Sequence, residues 1–203
     1  MTKDQIKALI KIDYERKIKA FEQINQLNQT IILGDSMVAY LNLSKYHLND
    51  QVINQGIAGD TTEGVMNRLN LVQRLKPKSV ILSIGSNDLV LLNHRPKTIA
   101  NHIIEIKNQL EEALKIKVYV FSMTPVLRNH AISNMDYIDS RTNHELEEIN
   151  HLLKKTLKKE EFFNVYDDLL DENKELKISY TTDGIHLNQE GYQIYTKYIK
   201  SIL

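Results

Sequence analysis

Four short blocks of this chain carry the residue types from which acyl-transfer chemistry is built, and each stands where a turn is expected. The first is Gly34-Asp35-Ser36-Met37, which follows the apolar run Thr30 to Leu33 and leads into a further apolar stretch. A serine between a strand and a helix presents its hydroxyl at a sheet edge and its N–H at a helix N-terminus. Taken alone, Asp35 or Ser36 in such a turn is more often a helix cap. The second block, Asn54 to Thr62, carries Gly56 and Gly59, which let backbone amides turn toward a ligand. It contains neither a G-x-x-x-x-G-K-[ST] phosphate loop nor a complete dinucleotide turn.

The third block is Gly85-Ser86-Asn87-Asp88. The Asn87 side-chain amide can donate to a developing oxyanion, whereas Asp88 reads as a residue that shapes the turn. In the fourth, Asp183-Gly184-Ile185-His186, an imidazole and a carboxylate stand close enough for the acid to hold the base in one tautomer. Glu148 and His151 share that spacing but fall in a charged, helical segment and read as a solvated pair. Each block alone has a bland structural explanation. Together they supply a nucleophile (Ser36), a base (His186), an orienting acid (Asp183) and oxyanion donors from the backbone and Asn87. The G-x-S-x-G elbow is missing, which argues against an α/β-hydrolase fold.

These residues need a scaffold, and the hydrophobic pattern describes one. Runs rich in β-branched and aromatic residues lie at 30–33, 51–54, 79–84, 117–121 and 162–166. Between them apolar residues recur at helical spacing, as in Ile99, Ile103, Ile106 and Leu110. Strands that are apolar almost throughout, alternating with helices, predict an α/β protein: a three-layer α/β/α sandwich of about five parallel strands. Ligands of such sheets bind beyond the carboxyl ends of the strands, where the first three blocks fall. A first helix over about 4–26, with Ile6, Ile10, Tyr14, Phe21 and Ile24 on one face, is read as an N-terminal extension (residues 1–28) of one domain spanning 1–203. It either covers the sheet or makes a subunit contact in a homo-oligomer, with packing on its own domain the favoured reading.

Composition narrows the function. The 203 residues hold 26 Lys+Arg and 26 Asp+Glu, giving a formal net charge of zero. Nucleic-acid and anionic-membrane binders need a basic excess, so neither partner is expected. With no cysteine, thiolate nucleophiles, disulfides and thiolate metal sites are excluded, and a reducing, cytoplasmic setting is expected. No apolar run approaches a membrane span or the core of a signal peptide. No cofactor or metal is called for; a metal-dependent phosphohydrolase built on Asp35, Asp88, Asp183 and His186 lacks dense ligand spacing.

From Ile31 to Tyr192 the four ordered blocks resemble the SGNH, or GDSL-type, hydrolase superfamily of esterases and lipases. The resemblance implies a flavodoxin-like fold with strand order 2-1-3-4-5. It assigns Ser36 as nucleophile, Asp183 and His186 as the rest of the triad, and Ser36 N–H, Gly59 N–H and Asn87 as the oxyanion hole. Gly34, Asp35, Gly56, Gly85 and Asp88 support the motifs. Met37 stands where the family pattern has Leu, a near-isosteric exchange that leaves Ser36 in place. The expected activity is hydrolysis of short-chain acyl esters, acetyl above all, of a small molecule, carbohydrate or lipid. An O-acyltransferase using the same triad and a non-catalytic binding module on this fold are the alternatives. Leu89 to Leu92 reads equally as acyl-pocket lining or buried turn. The 125–136 segment, with Arg128, Asn129 and His130, reads slightly better as a plain surface loop than as a leaving-group contact.

Overall fold

The computed structural model describes residues 3–129, 131–138 and 140–203; the Ile6 side chain and His130 lie outside the described residues. Five parallel strands form one sheet in the order β2-β1-β3-β4-β5: β1 Thr30–Gly34, β2 Val52–Gly56, β3 Ser79–Ser83, β4 Lys117–Phe121 and β5 Phe162–Phe163. The expected order holds. Alternation along the strands divides the core in two. Ile31, Leu33, Val80, Leu82, Val118 and Val120 point to one face, while Ile32, Ile81 and Phe121 point to the other.

Helices cover both faces, as near-continuous apolar strands require. On the first face lie α3 (Thr62–Met66), α4 (Leu69–Gln73), α5 (Pro96–Leu114) and α7 (Asn143–Thr156). The second face carries α2 (Ser36–Ala39) and α8 (Gln189–Ile202), whose Tyr192, Tyr195 and Ile199 are buried there. A short helix, α6 (Met135–Ile138), precedes α7.

Three boundaries differ from expectation, each for a local reason. The helix expected through Val65, Leu69, Val72 and Leu75 is broken into α3 and α4 at Arg68, whose non-helical backbone turns its side chain inward to an ion pair with Asp60. The last strand stops after Phe163 because the Tyr166 N–H is taken by the Ser122 hydroxyl (2.9 Å) instead of a ladder carbonyl. The first helix, α1 (Lys3–Glu22), ends earlier than expected. Arg74 donates to the carbonyls of Phe21, Glu22 and Ile24 and so satisfies its C-terminal acceptors.

The α1 helix packs on its own chain. Phe21 joins Ile57 and Leu71 in a small core, flanked by Tyr14 and Ile18, and the Tyr14 hydroxyl donates to the Gly64 carbonyl at 3.0 Å. This fixes the helix beside the turn that follows β2. Among the described residues no helix is long and apolar enough to cross a membrane.

Candidate active site

The register brings the carboxyl ends of β1 and β2 together at Gly34 and Gly56, with β3 ending alongside at Ser83. Both glycines are forced by close approach: a Cβ on Gly34 would lie 2.0 Å from the Ser83 carbonyl oxygen, and one on Gly56 2.2 Å from the Ala39 nitrogen. The chain then turns directly into α2. Asp35 is the N-cap, accepting from the Met37 N–H at 3.0 Å, and Ser36 is the first helical residue. Its N–H therefore has no intrahelical acceptor. Asp35 is thus a cap, and Ser36 is left to face solvent space. The Tyr192 hydroxyl donates to the Met37 carbonyl at 2.8 Å, tying α2 to α8. Met37 itself is buried, so its exchange for Leu changes the core and not the site.

The Asp183 to His186 turn closes on itself. Asp183 Oδ1 accepts from the N–H groups of Ile185 (3.0 Å) and His186 (2.8 Å), and its Oδ2 lies 2.6 Å from His186 Nδ1. Thr181 locks the turn from below, accepting from Gly184 N–H at 3.0 Å and donating to the His186 carbonyl at 2.7 Å. An ionised carboxylate only accepts, so Nδ1 carries the proton and Nε2 is the free lone pair. His186 Nε2 lies 3.0 Å from Ser36 Oγ. Burial alone would raise the Asp183 carboxyl, but the hydrogen bonds from His186 and its backbone, with the imidazole close by, outweigh it and bring Asp183 down to about 2.

Ser36, Gly59 and Asn87 line one cavity of about 580 Å³ with His186. Gly59 has φ +78°, a conformation in which a side chain is strained, and the Ile10 side chain of α1 covers it. Asn87 follows the β3 turn, in which Gly85 has φ +127°. The Asn87 Nδ2 donates to the Asp60 carbonyl at 2.9 Å, and its Oδ1 accepts from Arg141 Nη2 at 2.5 Å. Every residue expected at the site is therefore at the carboxyl edge of the sheet, with Ser36, His186 and Asp183 in one hydrogen-bonded line.

The neighbouring acids do structural work. Asp60 and Arg68 form a buried ion pair at 2.8 Å, and Arg68 also donates to the Gly34 carbonyl. Asp88 is buried and accepts from the Thr62 N–H and hydroxyl, consistent with a turn-shaping role. Asp88, His94 and His102 bring three potential ligand atoms within 4.8 Å of one another. The Thr62 hydroxyl is bonded to both Asp88 and His102 Nδ1 (3.0 Å), which makes that part of the cluster a hydrogen-bond chain.

A family comparison decides the class. Residues 32–194 match the model of the GDSL-like Lipase/Acylhydrolase family. The chain belongs to that family. It is therefore an ester-hydrolysing enzyme of the acylhydrolase kind. No curated protein matches the sequence. Among solved structures, a Streptococcus pneumonia protein named for platelet activating factor is 22% identical with TM-score 0.83, covering 98% of this chain and 96% of that one. A GDSL-like lipase from Bacteroides thetaiotaomicron is 23% identical with TM-score 0.78, covering 94% and 96%. A lipase/acylhydrolase from Enterococcus faecalis is 21% identical with TM-score 0.66, covering 87% and 97%. At these identities the likeness is one of fold.

Several residues around the cavity carry no signal in the sequence. Leu9, Ile10, Asp13 and Arg16 of α1 line the cavity, and Asp13 pairs with Arg16 there. The rings of Tyr40 and Tyr137 meet the His186 ring edge-on, with centroids at 5.0 and 6.3 Å. Arg141 was missed because nothing in Ser140-Arg141-Thr142 marks it; only the fold carries it to Asn87. The Leu89 to Leu92 segment divides between its two readings, Leu89 entering the core while Val90 and Leu91 line the cavity. The 125–136 segment is less of a surface loop than expected. Val126 and Leu127 are buried, Asp136 reaches the cavity, and Arg128 donates to the Arg141 carbonyl at 2.9 Å.

Proposed function

We propose that this hydrolase is a serine esterase for short-chain acyl esters, working through Ser36, His186 and Asp183. The observation that carries the reading is the unbroken line from Ser36 Oγ through both imidazole nitrogens to Asp183 Oδ2, at 3.0 and 2.6 Å. His186 Nε2 takes the Ser36 proton as Oγ attacks the ester carbonyl carbon. The carbonyl π-electrons move to oxygen, and the N–H groups of Ser36 and Gly59 with Asn87 Nδ2 receive the oxyanion. When the tetrahedral intermediate collapses, the alkoxy C–O bond breaks and His186 returns its proton to the departing alcohol. Water then repeats the sequence on the acyl-enzyme and releases the acid. Asp183 stays ionised and balances the imidazolium formed in both halves.

The cavity fits that task. Its volume of about 580 Å³ lies in the range of small-ligand sites and holds an acyl group together with a compact leaving group. Leu9, Ile10, Val90 and Leu91 offer an apolar wall for the acyl chain, while Asp13, Arg16 and Asp136 offer polar contacts for the alcohol portion.

Steady-state hydrolysis of p-nitrophenyl acetate, butyrate, octanoate and palmitate by wild type and Ser36→Ala tests the proposal. The expected result is activity concentrated on the shorter esters and absent from Ser36→Ala. Preference for palmitate would overturn the short-chain assignment. Adding glycerol or a sugar as a second acceptor separates hydrolysis from acyl transfer, since only a transferase makes the new ester at the expense of free acid.

A further inference from the structure

An asparagine amide can be seated two ways, and only one makes Asn87 a donor to the oxyanion. Asn87 Oδ1 lies 2.5 Å from Arg141 Nη2, and Nδ2 lies 2.9 Å from the Asp60 carbonyl. Turning the amide over would aim its NH₂ at a guanidinium, which has no lone pair to offer, and its oxygen at another carbonyl oxygen. Both contacts would become repulsive. In the seated orientation one Nδ2 proton goes to Asp60 and the second is left for the cavity.

The guanidinium that enforces this is itself pinned. Arg141 is only 3% exposed. Its Nε donates to the Ser86 carbonyl (3.0 Å) and hydroxyl (2.9 Å), and its Nη1 donates to the Tyr137 carbonyl. Three elements of the site are thus held by one planar group: the β3 turn, the Asn87 amide, and the Tyr137 wall of the cavity. A cation bonded to an amide oxygen also draws electron density from its nitrogen, which strengthens the N–H as a donor.

We infer that Arg141 is a positioning residue for ester hydrolysis, seating and polarising the Asn87 amide so that its free proton meets the oxyanion. The inference rests on the serine-esterase reading above. Lysine cannot replace it, because an ammonium on a flexible stem lacks the planar fork that reaches Ser86, Tyr137 and Asn87 together.

The test is a cycle of Arg141→Ala, Asn87→Ala and the double variant, with thermal unfolding recorded for each, and p-nitrophenyl acetate as substrate. Arg141→Ala is expected to lower kcat by about 10- to 100-fold with little change in KM, as a misplaced donor would. The double variant should be no slower than Asn87→Ala, because a missing amide has nothing to be seated. Ethylguanidinium, below the concentrations that unfold the protein, should restore part of the lost kcat in Arg141→Ala and none in the double variant. Multiplying single effects, or a loss confined to KM, would overturn the inference. If Arg141→Ala does not fold, Arg141→Lys decides: a lowered kcat in a protein that melts like wild type supports the role, and wild-type kcat refutes it. Reaction of a fluorophosphonate with Ser36 in the wild type is measured alongside. Its failure sinks the esterase reading itself, whereas normal labelling with a flat Arg141 series sinks only this inference.

Discussion

Ser36 Oγ and His186 Nε2 stand 3.0 Å apart although 150 positions separate them in the chain. Two independent local structures achieve this: a strand-to-helix turn capped by Asp35, and a loop folded around the Asp183 carboxylate. Tyr192 joins the two regions by its bond from α8 to the Met37 carbonyl.

Removing members of this line should have unequal effects. Ser36→Ala and His186→Ala are each expected to lower kcat by about 10⁴-fold or more, and the double variant should be no worse, because the groups act as a unit. Asp183→Asn should keep the loop hydrogen bonds only in part and should cost a smaller factor than either. Single-turnover kinetics with p-nitrophenyl acetate would check the ranking; a Ser36→Ala enzyme with substantial turnover would contradict it.

Asp35 predicts a pH-dependent stability. Burial raises its carboxyl from 3.8 to about 6, against the opposing pull of the Met37 N–H and the Arg141 charge. Between about pH 4 and 6 the folded protein keeps a proton that the unfolded chain has released. Stability therefore falls as pH rises through that window, by roughly 3 kcal/mol for a shift of about two units. Asparagine caps a helix as well as aspartate does. Asp35→Asn should lose this dependence, so its stability relative to wild type should improve from pH 4 to pH 7 in urea denaturation. Parallel pH profiles for the two proteins would refute the argument. Asp183 has the opposite sign: its contribution is present above the unfolded value of 3.8 and is lost as pH falls toward 2.

The Asp60–Arg68 pair should be intolerant of single substitution. Both side chains are buried, and Asp60 also receives the Thr61 N–H. Arg68→Met leaves a buried carboxylate without its partner, at a cost of about 3–5 kcal/mol. Adding Asp60→Asn removes the orphaned charge and should recover much of that loss. Denaturant melts of the single and double variants measure it; equal stability of the two would show that the pair is not coupled as the distances imply.

Ile10 should influence chain-length preference. It covers Gly59, where a Cβ would lie 2.7 Å from Ile10 Cδ1, and it lines the cavity beside Leu9. Ile10→Ala is expected to raise kcat/KM for octanoate relative to acetate several-fold, since added apolar space favours the longer chain by about 1–3 kcal/mol at most. An unchanged ratio would place the acyl chain elsewhere.

Much of this site could be read in the chain because its chemistry is local. Gly34 to Met37 and Asp183 to His186 each build their own turn from adjacent residues, and strand patterning places Gly34 to Met37 and Asn87 at one edge of the sheet. Arg68 and Arg141 could not be read. Their partners lie at Asp60 and Asn87, and an isolated arginine carries no spacing signal. The break at Arg68 escaped the helical pattern for the same reason: Val65, Leu69, Val72 and Leu75 keep their period while a buried ion pair interrupts the backbone between them. The contribution of α1 was equally hidden, since Ile10 reads as an ordinary apolar helix position until the fold sets it over Gly59, beside Leu9 in the cavity wall.

The most direct test of the central claim is reaction with a fluorophosphonate probe, followed by intact-mass analysis and peptide mapping, in wild type, Ser36→Ala and His186→Ala. One adduct per chain, located on Ser36, lost in Ser36→Ala and greatly slowed in His186→Ala, is the predicted result. A folded wild-type protein that takes no label, or takes it on another residue, would contradict the assembled Ser36–His186–Asp183 nucleophile.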